Sequence, residues 1–177
     1  MSQTDECIEI KLSNHDLLKC IEFTNLHIET CKLRGAKEIY GKHTEELGKQ
    51  MILQGYLGEC AVGLYFDYAT EYKIYDPQIP DVLGYEVRTV KHNYAILITH
   101  KARDLNVNYI CVSLNREKMI ATIKGWSDLP RTFRQSNWQT GPQWHTPCFG
   151  MPQDQLWPID TLPATPELIA HQAMVYA

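Results

Sequence analysis

Apolar positions follow a helical period near the start of the chain. Leu17, Ile21, Thr24, Ile28 and Cys31 recur at steps of three and four, and Ser13 and Asn14 stand ahead of them as caps. This spacing predicts a helix over about 15–40, loosened at its end by Gly35 and Gly41. A short strand or ordered arm is expected around Ile8–Leu12. A second helix is expected from about Thr44 to Tyr65–Tyr68, with Glu45 and Glu46 favourable to its N-terminal dipole. Beyond residue 50 that helix is apolar nearly all round, and Glu59 is its only charge between Gln50 and Phe66. A carboxylate in such surroundings needs a partner, because an isolated buried charge is costly. Gly48, Gly55, Gly58 and Gly63 lower helix propensity but permit close approach to a sheet.

The pattern then shortens to strands. Glu71–Tyr75, Tyr85–Val90, Tyr94–His100, Asn108–Leu114 and Met119–Trp126 are candidates, with Asn115–Lys118 as a hairpin loop. From about 127 the chain turns irregular, punctuated by prolines, with Trp138, Trp144, Phe149 and Trp157 as anchors. Pro152–Leu156 reads as a helical turn and 166–177 as a last short helix. Helices followed by a strand-rich centre indicate α/β or α+β architecture: a central mixed sheet flanked by helices, with an N-terminal helical segment and an irregular C-terminal wrap. Without repeats or linkers, 1–177 reads as one domain, with a helical extension at 1–42, a core at 44–126 and a wrapping segment at 127–177.

The strand 85–90 carries the candidate chemistry. Asp81 precedes a short Gly-containing turn, and Glu86 and Arg88 share one face of the strand, while Tyr85, Val87 and Thr89 take the other. Two carboxylates beside a cation can hold a hard divalent metal against a phosphate. This run, Pro80-Asp81, four residues, then Glu86-Val87-Arg88, resembles the PD-(D/E)XK (restriction-endonuclease-like) nucleases, and Gly58-Glu59 resembles the carboxylate their preceding helix supplies. Ile-Lys-Gly-Trp at 123–126 and Pro-Gln-x-x-Leu at 152–156 are similar to small phage or mobile-element nuclease-like proteins. The resemblance covers about residues 44–160. It implies a restriction-endonuclease-like core that hydrolyses DNA phosphodiester bonds. Glu59, Asp81, Glu86 and Arg88 would be catalytic. Asp81, Glu86, the Val87 carbonyl and Glu59 would be ligands for Mg²⁺ or Mn²⁺, and Arg88 would stabilise the phosphate transition state. Arg88 stands where the family usually has lysine, and an arginine stays charged and cannot deprotonate a water. The alternative is a catalytically impaired nuclease fold that binds DNA or a protein, with Arg88 paired to Glu59.

Net charge is −4, but residues 88–134 hold nine Lys or Arg against three acids, so the rest of the chain carries −10. A basic middle between acidic ends fits phosphate contact by one face. Lys91, His100, Lys101 and Arg103 are the candidates for DNA phosphates. Lys91 lies on the strand face opposite Arg88, and only if a bulge re-aims it would it stand in for the family lysine. The acidic ends also suit a third reading, an inhibitor or adaptor that binds a protein partner. Cutting both strands of DNA would call for a homodimer. Six scattered cysteines with no Cys-x-x-Cys indicate reduced, mostly buried thiols. A polar, acidic N-terminus and the lack of an apolar run of eighteen lead to the expectation of a cytoplasmic protein without a membrane span.

Overall fold

The computed structural model describes residues 7–33, 45–70, 72, 80–91, 97–99, 107–139 and 148–175. Strand β1 (Ile8–Lys11) leads into α1 (Asn14–Leu33). Ser13 and Asp16 cap α1 reciprocally: the Asp16 amide donates to the Ser13 hydroxyl at 3.2 Å, and the Ser13 amide donates to the Asp16 carboxylate at 2.8 Å. The inward line of α1 is Cys20, Thr24, Ile28 and Cys31. Leu17 and Ile21 flank it half-buried, so the stripe begins one position away from the expected one. Thr24 is tolerated at the centre because its hydroxyl donates to the Cys20 carbonyl at 2.7 Å.

Beyond Gln50, helix α2 (Glu45–Tyr65) is apolar nearly all round because it is covered on two sides. One side meets α1, where Phe23, Tyr56 and Tyr72 form a ring cluster and His27 Nδ1 lies 2.8 Å from the Tyr56 hydroxyl. The other side meets the sheet. Fully buried Leu57 sits in that layer, a burial worth about 1.5–3 kcal/mol.

The main sheet joins β1, β2 (Glu86–Val90), β4 (Tyr109–Asn115) and β5 (Ile120–Ser127) in the order β1-β5-β4-β2; β3 (Leu97–Thr99) lies elsewhere. β4 pairs antiparallel with β5 and parallel with β2, and β1 pairs antiparallel with β5. The sheet is therefore mixed and flanked by helices, as the pattern predicts. β4 is buried from Tyr109 to Leu114, which explains its unbroken apolar run. Ile110, Val112 and Leu114 join Val87 in the layer under α2. Tyr109 and Cys111 join Val90, Met151 and Leu156 in a second core on the opposite face.

The C-terminal segment covers that opposite face with α3 (Leu129–Thr132), β6 (Trp138–Gln139) and β7 (Cys148–Met151), and then α4 (Pro166–Val175) returns to the α2 side, where Leu168 joins the first core and His171 meets Tyr68. β3, β7 and β6 form a second, antiparallel sheet. Aromatic anchors hold the segment down, through Tyr109–Phe133, Phe133–Phe149 and Trp138–Phe149 ring contacts. Trp126 and Trp157 exchange backbone hydrogen bonds at 2.9 Å and lie ring against ring at 4.6 Å. These tryptophans are packed, and Trp138 alone of the described three is exposed, while Trp144 lies outside the described residues. Cys20, Cys31, Cys60, Cys111 and Cys148 are buried and free, and Cys7 is exposed and free. Among the described residues no helix is long and apolar enough to cross a membrane.

Candidate functional site

A two-residue turn builds the site. Val82 and Tyr85 exchange backbone hydrogen bonds at 3.1 and 2.8 Å, with Leu83 (φ 46°) and Gly84 (φ 83°) between them. Positive φ at both central residues is the hairpin-type geometry whose twist suits a strand pair. The turn folds Asp81 back beside the start of β2. Leu83 is in the left-handed region that an L-residue adopts at a cost, and partners from the C-terminal segment hold it there. The Thr165 hydroxyl donates to the Leu83 carbonyl at 2.6 Å, and the Tyr85 hydroxyl donates to the Pro163 carbonyl at 2.7 Å.

β2 ends the sheet order, so one side of its backbone has no strand beside it among the described residues. In a parallel pair alternate residues bond the same neighbour. The Glu86 amide donates to the Asn108 carbonyl, which leaves the Val87 and Thr89 peptide groups facing outward. Side chains meet three of their four polar atoms. The Val87 amide donates to Asp81 Oδ2 at 2.8 Å, Arg88 Nη1 donates to the Val87 carbonyl at 3.1 Å, and Gln54 Nε2 donates to the Thr89 carbonyl at 3.2 Å. The candidate site is thus also the covering of a sheet edge.

Arg88 stands at the centre. Its Nη2 donates to Glu86 Oε2 at 2.9 Å, and its Nη1 lies 3.8 Å from Asp81 Oδ2. The guanidinium faces the Tyr109 ring at 5.6 Å. Glu86 is fully buried, whereas the Arg88 and Asp81 side chains keep about a quarter of their exposure, 25% and 23%. Arginine is suited to this place because one planar fork meets two acceptors at once.

Glu59 approaches from α2. Burial lifts its carboxyl well above the usual carboxylate range; Asp81 pushes the same way, Arg88 partly offsets this, and Glu86 adds to the rise. The folded state therefore holds the Glu59 proton to higher pH than the unfolded chain does. Its stabilising contribution is complete below the ordinary value of 4.5 and is lost as pH rises through the elevated one. Glu59→Gln, which mimics the protonated form, is expected to gain Tm relative to wild type as pH is raised from about 5 to about 8. Thermal melts of both proteins across that range check this, and a constant difference would contradict it.

The structure brings together Asp81, Glu86, the Val87 carbonyl and Arg88, with Glu59 close enough to feel all three charges. Arg88 pairs with Glu86 and Asp81. Lys91 is exposed in the bend after β2, and His100, Lys101 and Arg103 lie outside the described residues. The described bases of the middle region are spread over several elements. Arg116 and Lys118 are exposed at the β4–β5 turn, and Arg131 stacks on Trp157 at 4.4 Å. Gln54 and Tyr109 are site residues that sequence reasoning missed. Gln54 had a signal, being a polar residue on the same apolar helix, one turn before Gly58.

A divalent cation would need the oxygens of this cluster. In kind they suit a hard ion. Among the described residues no three His, Cys, Asp or Glu side chains form a group placed to hold one. What is gathered is two carboxylates and one carbonyl, and Arg88 faces all three. Fold and site together define a mixed α+β protein with an arginine-bridged carboxylate cluster on the edge of its sheet. Comparison with protein-family models, curated proteins and solved structures found no match to this chain.

Proposed function

We propose that the chain is a restriction-endonuclease-like nuclease that hydrolyses DNA phosphodiester bonds with Mg²⁺ or Mn²⁺. One observation carries this reading: Asp81, Glu86 and the Val87 carbonyl, the donors the family resemblance nominates, converge within reach of a single cationic group. Asp81 and Glu86, with the Val87 carbonyl, would hold the ion, and Glu59 would assist from α2. The bound ion supplies a water made acidic enough to attack phosphorus. The Asp81 bond to the Val87 amide orients its carboxylate. Arg88 supplies fixed positive charge for the phosphate, without serving as a base.

The occupation of Glu86 and the Val87 carbonyl by Arg88 favours a second reading, a non-hydrolytic DNA- or protein-binding member of the same fold. Nicking of supercoiled plasmid with Mg²⁺ or Mn²⁺ separates the two. Wild type is expected to cut, and Glu86→Gln to lower the rate about a hundredfold or more. No cutting by wild type of single- or double-stranded DNA with either ion would leave the binding reading, whose DNA form requires affinity that falls with salt.

A further inference from the structure

The contact between α1 and α2 holds two thiols that the nucleolytic reading does not use. Cys20 is fully buried on the inward line of α1, and Cys60 of α2 keeps 6% of its exposure. Cys60 lies one turn beyond Tyr56, and Phe23 one turn beyond Cys20, and the Phe23 and Tyr56 rings meet across the two helices. Tyr72 packs into this contact. Its ring meets Phe23 at 4.5 Å and Tyr56 at 4.9 Å, and its hydroxyl lies 3.3 Å from Cys20 Sγ. The two sulfurs hydrogen-bond each other, and the Tyr72 hydroxyl bonds both. The cluster is asymmetric. The hydrogen bond from Cys20 holds the Cys60 thiol below its ordinary range, against burial, while the bond to Cys60 and burial push Cys20 up. Burial and the neighbouring sulfurs keep the Tyr72 proton in place, so its hydroxyl donates. Lys19 Nζ, 5.8 Å from the Tyr72 ring centre, also favours a Cys60 thiolate, and Asp16 opposes it. Cys111, in the second core, is instead pushed up to about 12 by burial, and burial raises Cys148 too.

We infer that Cys20 and Cys60 are a dithiol site for hydrogen peroxide, which oxidises them to a disulfide that ties α1 to α2. The site is independent of the nucleolytic chemistry. The remaining exposure of Cys60 admits a molecule as small as peroxide. The Cys60 thiolate attacks one peroxide oxygen, the O–O bond breaks, and the departing hydroxide takes up the proton that Cys60 released. Cys60 is then a sulfenic acid. The Cys20 sulfur attacks the Cys60 sulfur, the S–O bond breaks, and the hydroxyl leaves with the Cys20 proton as a second water. Two thiols and one hydrogen peroxide thus give one disulfide and two waters. The link closes a loop of about 40 residues. It stands next to Glu59, on the helix that brings that carboxylate to the sheet edge.

The test uses the full chain carrying Cys7→Ser, which removes the exposed thiol and leaves the five buried ones. Folded protein is treated with hydrogen peroxide, then denatured in N-ethylmaleimide, and intact mass and peptide mapping count the thiols. Two of the five are expected to escape alkylation, in one cross-linked peptide pair that contains Cys20 and Cys60. Dithiothreitol is expected to return both. Adding Cys20→Ser is expected to stop the reaction at a Cys60 sulfenic acid, trapped by dimedone, and adding Cys60→Ser to prevent the cross-link. The oxidised protein is expected to melt about 5–10 °C above the reduced one. Five alkylated thiols at peroxide concentrations that oxidise glutathione overturn the inference. So does a cross-link to another cysteine, or an oxidised protein that melts no higher than the reduced one. The mapping and the melts need no substitution in the core, so they decide the matter even where a serine variant does not fold.

Discussion

Arg88→Met is expected to destabilise the fold by about 3–5 kcal/mol, and adding Glu86→Leu is expected to restore most of the loss. The single change takes the bonded cation from a fully buried carboxylate, and Glu86 has no exposure through which water could replace the guanidinium. It also frees the Val87 carbonyl, which Arg88 otherwise covers. The double change removes both charges and puts apolar groups beside Tyr109 and the second core. Denaturant unfolding of the four proteins of this cycle gives the coupling directly. Independent, additive effects of the two substitutions would show that the pair seen at 2.9 Å carries no energy.

The second large effect is expected at Gly58. A Cβ there would overlap the Thr89 hydroxyl and approach Thr89 Cβ to 3.0 Å. Thr89 belongs to β2, so an added methyl must push α2 away from the motif strand. Gly58→Ala is expected to cost about 1–3 kcal/mol, even though alanine is the better helix former. The displacement would also shift Glu59, the next residue, and stretch the Gln54 bond to the Thr89 carbonyl. Thr89→Ala in the same chain should return part of the stability, since the Thr89 hydroxyl is buried without a hydrogen-bond partner and is lost cheaply. Melting temperatures of both single variants and the double variant decide it. A Gly58→Ala protein as stable as wild type would mean that the helix and strand can separate freely.

Much of this was legible in the residue pattern because burial sets period. The start of α1, helix α2, the hairpin β4–β5 and α4 fall within a few residues of where apolar spacing and turn residues place them, while the expected end of α1 near 40 lies outside the described residues. The stretch of α2 after Gln50 was readable as buried on two sides from its lack of charge. The strands expected at Glu71–Tyr75 and Tyr94–His100 fall mostly outside the described residues, and only Leu97–Thr99 of the second is seen as a strand. Pairing was not legible. That β2 joins β4 in parallel, at the end of the sheet, is decided by which chains meet, and no local spacing encodes it. The same limit hid Tyr109 under Arg88, a contact between residues far apart in sequence. The partners of Arg88 were legible only in part for a related reason. The two-residue spacing of Glu86 and Arg88 allowed the bond that forms, but only the turn at Leu83-Gly84 brings Asp81 into range as well.

The clasp on that turn fixes an order of events during synthesis. Thr165 and Tyr85 reach across 82 and 78 positions of sequence to join Leu83 and Pro163. A ribosome-bound chain that ends before these residues has the motif strand but not the brace that holds its acidic turn. The carboxylate cluster is therefore completed only after residue 165 has emerged, long after its own strand.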